Sequence, residues 1–495
     1  MRLRRLLPSL LASATLLGCA NLDLTDPNEP STDTFWRTAA DAVAGVNAVY
    51  NGLQNNGTYG RWLVFASDLR SDVGLINSPW TDLSNFTKFT FTSYDFEVNH
   101  DLWQHHYQAI FRANQVIARV PAIAMDAALR DRIVGEAKFI RALLYFNLVT
   151  LYGNVPLITT PPEPTDRPAT VGPPQLWAQI EQDLTDARAA LPQAYSGSDV
   201  GRATWGAATA LLGKAHLQQH EWTEAEASLS EVIGSGRYDL MANYGDNFTD
   251  RFENNVESVF EVQFGDRSFL SAGTRGLNIS RMVGPCGPSY CDGRPTRWYF
   301  QQFQQDTTVT GQPDPRLDYT LYYKGGSDVY GVANATYFAD DTTTHNVRED
   351  TLIFFKKYGE YYLGLPDQDW DAGINFRVIR YADVLLMEAE ALNELGRTAE
   401  AYPFVNRVRA RVTMPPLPAG LTQAEMRDRI LRERMFELGL EGQRWADLAR
   451  HDLLTPALQA NDAEFDFFVA GKSELLPIPQ SERDLNPNIK QNPGW

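Results

Sequence analysis

Cysteine is scarce in this chain, with three among 495 residues, and so is histidine, with seven. Basic residues are outnumbered, 44 Lys and Arg against 62 Asp and Glu, for a formal net charge of −18. Each shortage excludes something. An acidic chain is a poor partner for nucleic acid, whose binding rests on Lys and Arg neutralising phosphates. Cys286 and Cys291 lie in Gly-Pro-Cys-Gly-Pro-Ser-Tyr-Cys-Asp-Gly with no two further metal ligands nearby, so a disulfide across a turn fits them better than zinc. His105 and His106 are neighbours and point to different faces of a helix, and His100 is six residues from His106, so the three read as satisfied side chains. No Gly-x-Ser-x-Gly elbow, His-Glu-x-x-His helix or phosphate-cradling glycine loop is present, which leaves a hydrolase reading with only scattered carboxylates. No cofactor or metal site is expected.

Long apolar runs are also missing, except near the start. Arg2, Arg4 and Arg5 precede an apolar stretch from Leu6 to Leu17, interrupted by Pro8 and Ser9 and too short for a stable membrane span. It ends in Leu16-Leu17-Gly18-Cys19, a small residue before a cysteine. An ordinary secretory cleavage site has no need of the thiol. Residues 1–18 therefore read as a lipoprotein signal peptide, with Cys19 as the acylated first residue of the mature chain. More than one acyl chain holds a protein durably to a membrane. Loss of the three arginines takes the charge to about −21 and leaves a body suited to staying soluble on a crowded surface.

What is present is helical periodicity, in two blocks at about 34–233 and 375–450. Between them, 234–374 is rich in Gly, Asp, Asn, Thr and aromatic residues and reads as loops and short strands. Length alone suggests several domains, but helix pairs spread along the chain argue for one scaffold, 19–495, carrying long insertions. One pair has Leu212-Gly213-Lys214-Ala215-His216, then Trp222 in a turn, then Ala225 and Leu229, a spacing similar to a tetratricopeptide unit. A second runs through Leu385–Ala391, Gly396, Ala401 and Val405. Less regular pairs are Asp41–Leu53 with Leu102–Val120, and Leu129–Tyr152 with Gln175–Leu191. Such hairpins bury their apolar faces only by stacking. Gly153 and Pro156 mark a helix end, and Thr160–Pro174 reads as a stiff connector.

Four segments in order carry a family resemblance: EAKFIRALLYFNLVTLYGNVPL at Glu136–Leu157; VIRYADVLLMEAEALNELG at Val378–Gly396; ILRERMFELGLEGQRWADLAR at Ile430–Arg450; LLPIPQSERDLNPNIKQNPGW at Leu475–Trp495. With Cys19 and Leu22-Asp23, they resemble the SusD/RagB family of outer-membrane nutrient-binding lipoproteins over essentially the whole mature chain. The resemblance implies an all-α scaffold of four tetratricopeptide-like helix pairs with few short strands and an irregular ligand-binding region. It also implies a SusC-like, TonB-dependent β-barrel as partner and an oligosaccharide, or in some members a peptide, as ligand. The chain ends on Trp495 where Tyr is commoner.

Glu433 and Glu437, four apart near Arg434 and Arg444, read as a buried ion network rather than catalytic carboxylates, and Arg141, Arg380, Asp383 and Glu388 invite the same reading. Pro477, Pro479, Pro487 and Pro493 suggest that the tail 475–495 lies extended on the surface. Sugars are gripped by aromatic faces with a few polar groups at the rim. That mixture occurs outside helical periodicity in three places: Arg70, Asp72, Trp80, Asp82 and Asn85; Phe264 to Arg294, with Tyr290 and Asp292; and Gln368-Asp369-Trp370-Asp371. Against this, Arg70 and Asp72 could pair with each other and Tyr290 could merely cap the cysteine loop. Trp36, Trp103, Trp177, Trp205, Trp298 and Trp445 sit in helical segments and read as core. A protein-binding scaffold with no small ligand is the competing function.

Overall fold

The computed structural model describes residues 35–265, 276–338, 352–363, 372–461 and 465–495. Its first helix, α1 (Ala39–Gly52), starts at a capping box in which the Thr38 hydroxyl accepts from the Asp41 amide and Asp41 returns the bond. Two short helices follow, α2 (Trp62–Ser67) and α3 (Thr81–Lys88), with strand β1 (Gly74–Ile76) between them. Then come α4 (Glu97–Arg119) and α5 (Ala127–Tyr152). From Ile133 onward α5 is buried on nearly every side, as expected for a helix packed between neighbours. The Asp126 carboxylate caps its start, and Gly153, at φ 67°, ends it. Pro173 opens α6 (Pro173–Ala190), a position where its missing N–H costs nothing.

Helices α7 (Trp205–Gln218) and α8 (Trp222–Gly234) form the hairpin read from the Gly213 pattern. The reason for glycine is a close approach: a Cβ at Gly213 would sit 2.8 Å from Leu229 Cγ on the facing helix. Beyond β2 (Ser258–Val262), α9 (Ile279–Val283), β3 (Gly293–Pro295) and α10 (Arg297–Gln305), strand β4 (Phe376–Arg380) leads into α11 (Tyr381–Glu394) and α12 (Thr398–Arg411). α13 (Gln423–Leu438) and α14 (Arg444–Arg450) follow. α1 packs on α4, α5 on α6, α7 on α8, and α11 on α12, so all four expected hairpins are present. The fold is mostly helical with few short strands.

The second helical block does not begin at Asn375. Phe376–Arg380 is a wholly buried strand paired antiparallel with β2, and the helix starts at Tyr381. Its Phe-Arg-Val-Ile-Arg sequence has the β-branched character of a strand. The tail is a second correction. It contains a helical turn at Gln480–Leu485, and Leu476 and Ile478 are fully buried. Asn492 Nδ2 donates to the carbonyls of Tyr152 and Leu476, and the Leu476 amide donates to Leu151. The prolines keep the tail out of the sheets, yet its amides and apolar side chains still find partners on the end of α5.

The ion network exists, with other partners than those near in sequence. Glu433 and Glu437 meet Arg316, Arg409, Arg411 and Arg380, whereas Arg434 pairs with Asp383 and Asp447. Arg141 forms a bidentate pair with Asp183. Glu388 departs from the expectation: it is buried and its Oε2 has no hydrogen-bond partner. His106 is in the core with Nδ1 on the Leu102 carbonyl, and burial lowers its pKa to about 4, so it is neutral there.

Candidate functional site

The two aromatic stretches that lie more than 200 residues apart in the sequence converge on one short ladder. β1 and β3 pair antiparallel, Gly74 opposite Pro295, Leu75 opposite Arg294 and Ile76 opposite Gly293. The Asn77 amide extends the ladder by donating to the Asp292 carbonyl at 2.7 Å. The chain leaving β1 toward Trp80 therefore runs beside the chain entering β3 from Tyr290 and Asp292.

Trp80 stands at the N-cap of α3 and is 36% exposed. Its ring meets the edge of Trp62, centroids 6.3 Å apart. Trp62 is fully buried, donates from Nε1 to Asp101 at 3.1 Å, and carries the Arg61 guanidinium 4.6 Å from its ring centre. The base under Trp80 is thus held by both Asp101 and Arg61. Its own backbone is tied as well, since the Trp80 amide donates to the Ser78 hydroxyl, and Ser84 bonds Ser78 twice. Asn85, one turn along α3, is half-buried and accepts from Thr90. Tyr290 is 51% exposed at the end of the Cys286–Cys291 loop, and the structure joins those cysteines with their alpha carbons 4.9 Å apart. Asp292 is buried; desolvation raises its pKa, while a hydrogen bond from Ser78 and the charge of Arg294 pull the other way. The result is two solvent-facing rings on loops that meet at one ladder, with the half-buried Asn85 amide on the helix after Trp80 and the Asp292 carboxyl buried beneath, held by Ser78. Exposed rings of this kind can stack on an apolar face.

Family models match both halves of the chain: one described as SusD family over residues 256–495, and one described as starch-binding, associating with outer membrane, over residues 22–217. A laminarin-binding SusD-like protein of solved structure is 30% identical, with a TM-score of 0.76 over 93% of this chain and all of its own. The chain belongs to the SusD family. A SusD superfamily protein from Bacteroides vulgatus superposes with TM-score 0.83 at 26% identity, over 93% of this chain and 100% of that one. SusD-like protein P2 of Formosa agariphila is 28% identical over 97% of each chain.

For this SusD-family chain, three of the sequence-selected residues leave the surface, Asp292 beside the β1–β3 ladder and, more deeply, Arg70 and Asp72. Arg70 and Asp72 are 0% and 1% exposed and do not pair with each other. Asp72 holds Arg444 in a bidentate pair at 2.7 and 2.8 Å, and Arg70 lies 3.8 Å from the centre of the Trp445 ring. Both are interior groups joining α2 and its following loop to α14, out of reach of a ligand. Periodicity could not show this, because the partners lie some 370 residues away. Trp62, Arg61 and Arg281 support the exposed rings and were not singled out; Trp62, with Arg61 over it, lies against Trp80, and Arg281 lies over Tyr290, neighbours in space that sequence pattern does not show. Trp370 and Cys19 lie outside the described residues. Among the described residues no helix is long and apolar enough to cross a membrane. Glu181, His216 and Glu221 bring metal-ligating atoms within 4.8 Å of one another on the helical scaffold, where His216 Nδ1 is held by Glu221 and Glu181 by Gln219, each at 2.6 Å.

Proposed function

We propose that this chain is a cell-surface glycan-capture protein, anchored through acylated Cys19, that passes an oligosaccharide to a SusC-like TonB-dependent transporter and performs no chemistry. The observation that carries this reading is that the β1–β3 ladder brings together the two stretches bearing the exposed rings of Trp80 and Tyr290, with Asn85 half-buried on the helix after Trp80. A stacking platform with few polar groups suits a neutral sugar, and the acidic body would repel an anionic one. The likeness to a laminarin-binding SusD-like protein supports a β-glucan as the first ligand to try. The Leu-Leu-Gly-Cys sequence supports the anchor.

The test is calorimetry of residues 20–495 with laminarihexaose, maltohexaose and a mixed tripeptide library. Saturable glucan binding that weakens about tenfold in Trp80→Ala, with the melting temperature unchanged, is expected of a central aromatic contact. Peptide binding with no glycan binding would replace the glycan reading. Cys19→Ala should move the protein out of the membrane fraction of its native cells, and unchanged retention would remove the anchor.

A further inference from the structure

The loop that ends in Tyr290 is braced more heavily than a surface turn needs. Cys286 and Cys291 are five residues apart in sequence and bonded. From that ring the Ser289 amide donates back to the Pro285 carbonyl at 2.8 Å, and the Tyr290 amide to the Arg281 carbonyl at 2.9 Å, both acceptors preceding the ring. Arg281, on α9, reaches over: Nη1 donates to the Pro288 carbonyl at 3.1 Å, and the guanidinium lies 4.2 Å from the centre of the Tyr290 ring. Tyr337 bonds the Cys286 carbonyl from outside at 2.7 Å, and Arg294 Nη2 lies 3.5 and 3.6 Å from the two sulfurs. Cys291 takes a left-handed φ of 52°, so the chain turns sharply just after Tyr290 and enters β3.

A bond across so short a loop removes little disorder from the unfolded chain, because that contribution grows with loop length. Its main effect is local. An exposed tyrosine on a free loop would lose backbone and side-chain freedom when a ligand stacked on it, which subtracts from affinity. Here that freedom is already gone, and the cation above one side of the ring fixes which face is turned outward.

We infer that the Cys286–Cys291 bond and Arg281 are positioning residues that present Tyr290 preformed to the ligand. The inference rests on the reading of Tyr290 as a ligand contact, and the experiment separates the two. Hydrogen exchange at residues 286–291 and affinity for laminarihexaose are measured on the chain from residue 20, for the parent, Cys286→Ser with Cys291→Ser, Arg281→Gln, Arg281→Lys and Tyr290→Ala. Opening the bond, or removing the Arg281 charge, should speed exchange of the Tyr290 amide at least about tenfold and weaken binding by about tenfold, with the melting temperature held within about 2 °C. Arg281→Lys, which keeps a cation over the ring, should recover most of the affinity. Unchanged exchange in both the double-serine and Arg281→Gln chains overturns the mount, whether or not laminarihexaose binds. Faster exchange with unchanged affinity, while Tyr290→Ala abolishes binding, overturns its purpose. If Tyr290→Ala binds as the parent does, the contact reading falls instead, and the exchange result still decides the mount.

Discussion

Arg380 and Glu437, 57 residues apart in sequence, meet at 2.8 Å with neither side chain exposed to solvent. Arg380 also reaches Glu257 and Glu441, Arg411 bridges Glu257 and Glu437, and Arg316 ties Glu437 to Asp314. The arginine ends strand β4, its carboxylate partners come from the β2 approach, α13 and the turn after it, and so one guanidinium pins the β2–β4 pair to the last helices.

Removing that guanidinium leaves several carboxylates buried with fewer cations than charges. Breaking a buried pair on one side costs ~3–5 kcal/mol, because the remaining charge keeps its desolvation penalty. Arg380→Met should therefore lower the urea midpoint of unfolding by an amount equivalent to several kcal/mol, read by circular dichroism, while the folded fraction still binds glycan. A midpoint equal to the parent's would show that the remaining arginines suffice to hold the network.

The same network shows what sequence can and cannot disclose here. Apolar spacing locates the four helix hairpins, and Gly153 marks the end of α5, because these depend on residues within one or two helical turns. Glu433 and Glu437 are legible as buried charges from their place on an apolar helix. Their partners are not, since Arg316, Arg380, Arg409 and Arg411 arrive from other elements, and helical period says nothing about which element docks on a face. The candidate site divides in the same way. The stretch holding Trp80 and Asn85 and the stretch holding Tyr290 and Asp292 meet at one ladder, with the two rings exposed and Asp292 buried. Arg70 and Asp72 share a stretch with Trp80 and point inward, because the reversal into β1 turns the Ser67–Val73 segment toward α14.

Arg70 offers a sharper test of that inward placement. Its three guanidinium nitrogens have no hydrogen-bond partner, and aromatic rings surround it, Trp445 at 3.8 Å, Phe86 at 5.6 Å and Phe89 at 6.0 Å. Burial lowers its pKa to about 9. A methionine has similar reach and no charge to desolvate, so Arg70→Met should leave stability unchanged or raise it by ~1–2 kcal/mol, with glycan affinity unaltered. A loss above ~2 kcal/mol would mean that the contact with the Trp445 face outweighs desolvation. Lost affinity in a chain of unchanged stability would return Arg70 to the ligand site.

Glu388, on α11, sets a pH dependence of definite sign. It is 3% exposed, its Oε2 is unpartnered, and burial, aided by the charge of Glu226 and opposed by Arg397, raises its pKa to about 8. The unfolded carboxyl titrates near 4.5. Between those values the folded chain keeps a proton that the unfolded chain releases, so this group's contribution is fully present below about pH 4.5 and is lost as pH rises through about 8. Asp68 and Glu253, each raised to about 7 by burial, titrate in the same window, so the informative quantity is the difference between variant and parent. Glu388→Gln keeps the shape and removes the charge. Its melting temperature should match the parent's near pH 5 and exceed it near pH 9, by an amount equivalent to roughly 2 kcal/mol once solvent at the rim of the site is allowed for. Differential scanning calorimetry across that range measures it, and parallel curves for the two chains would place the Glu388 carboxylate in contact with a cation or with water.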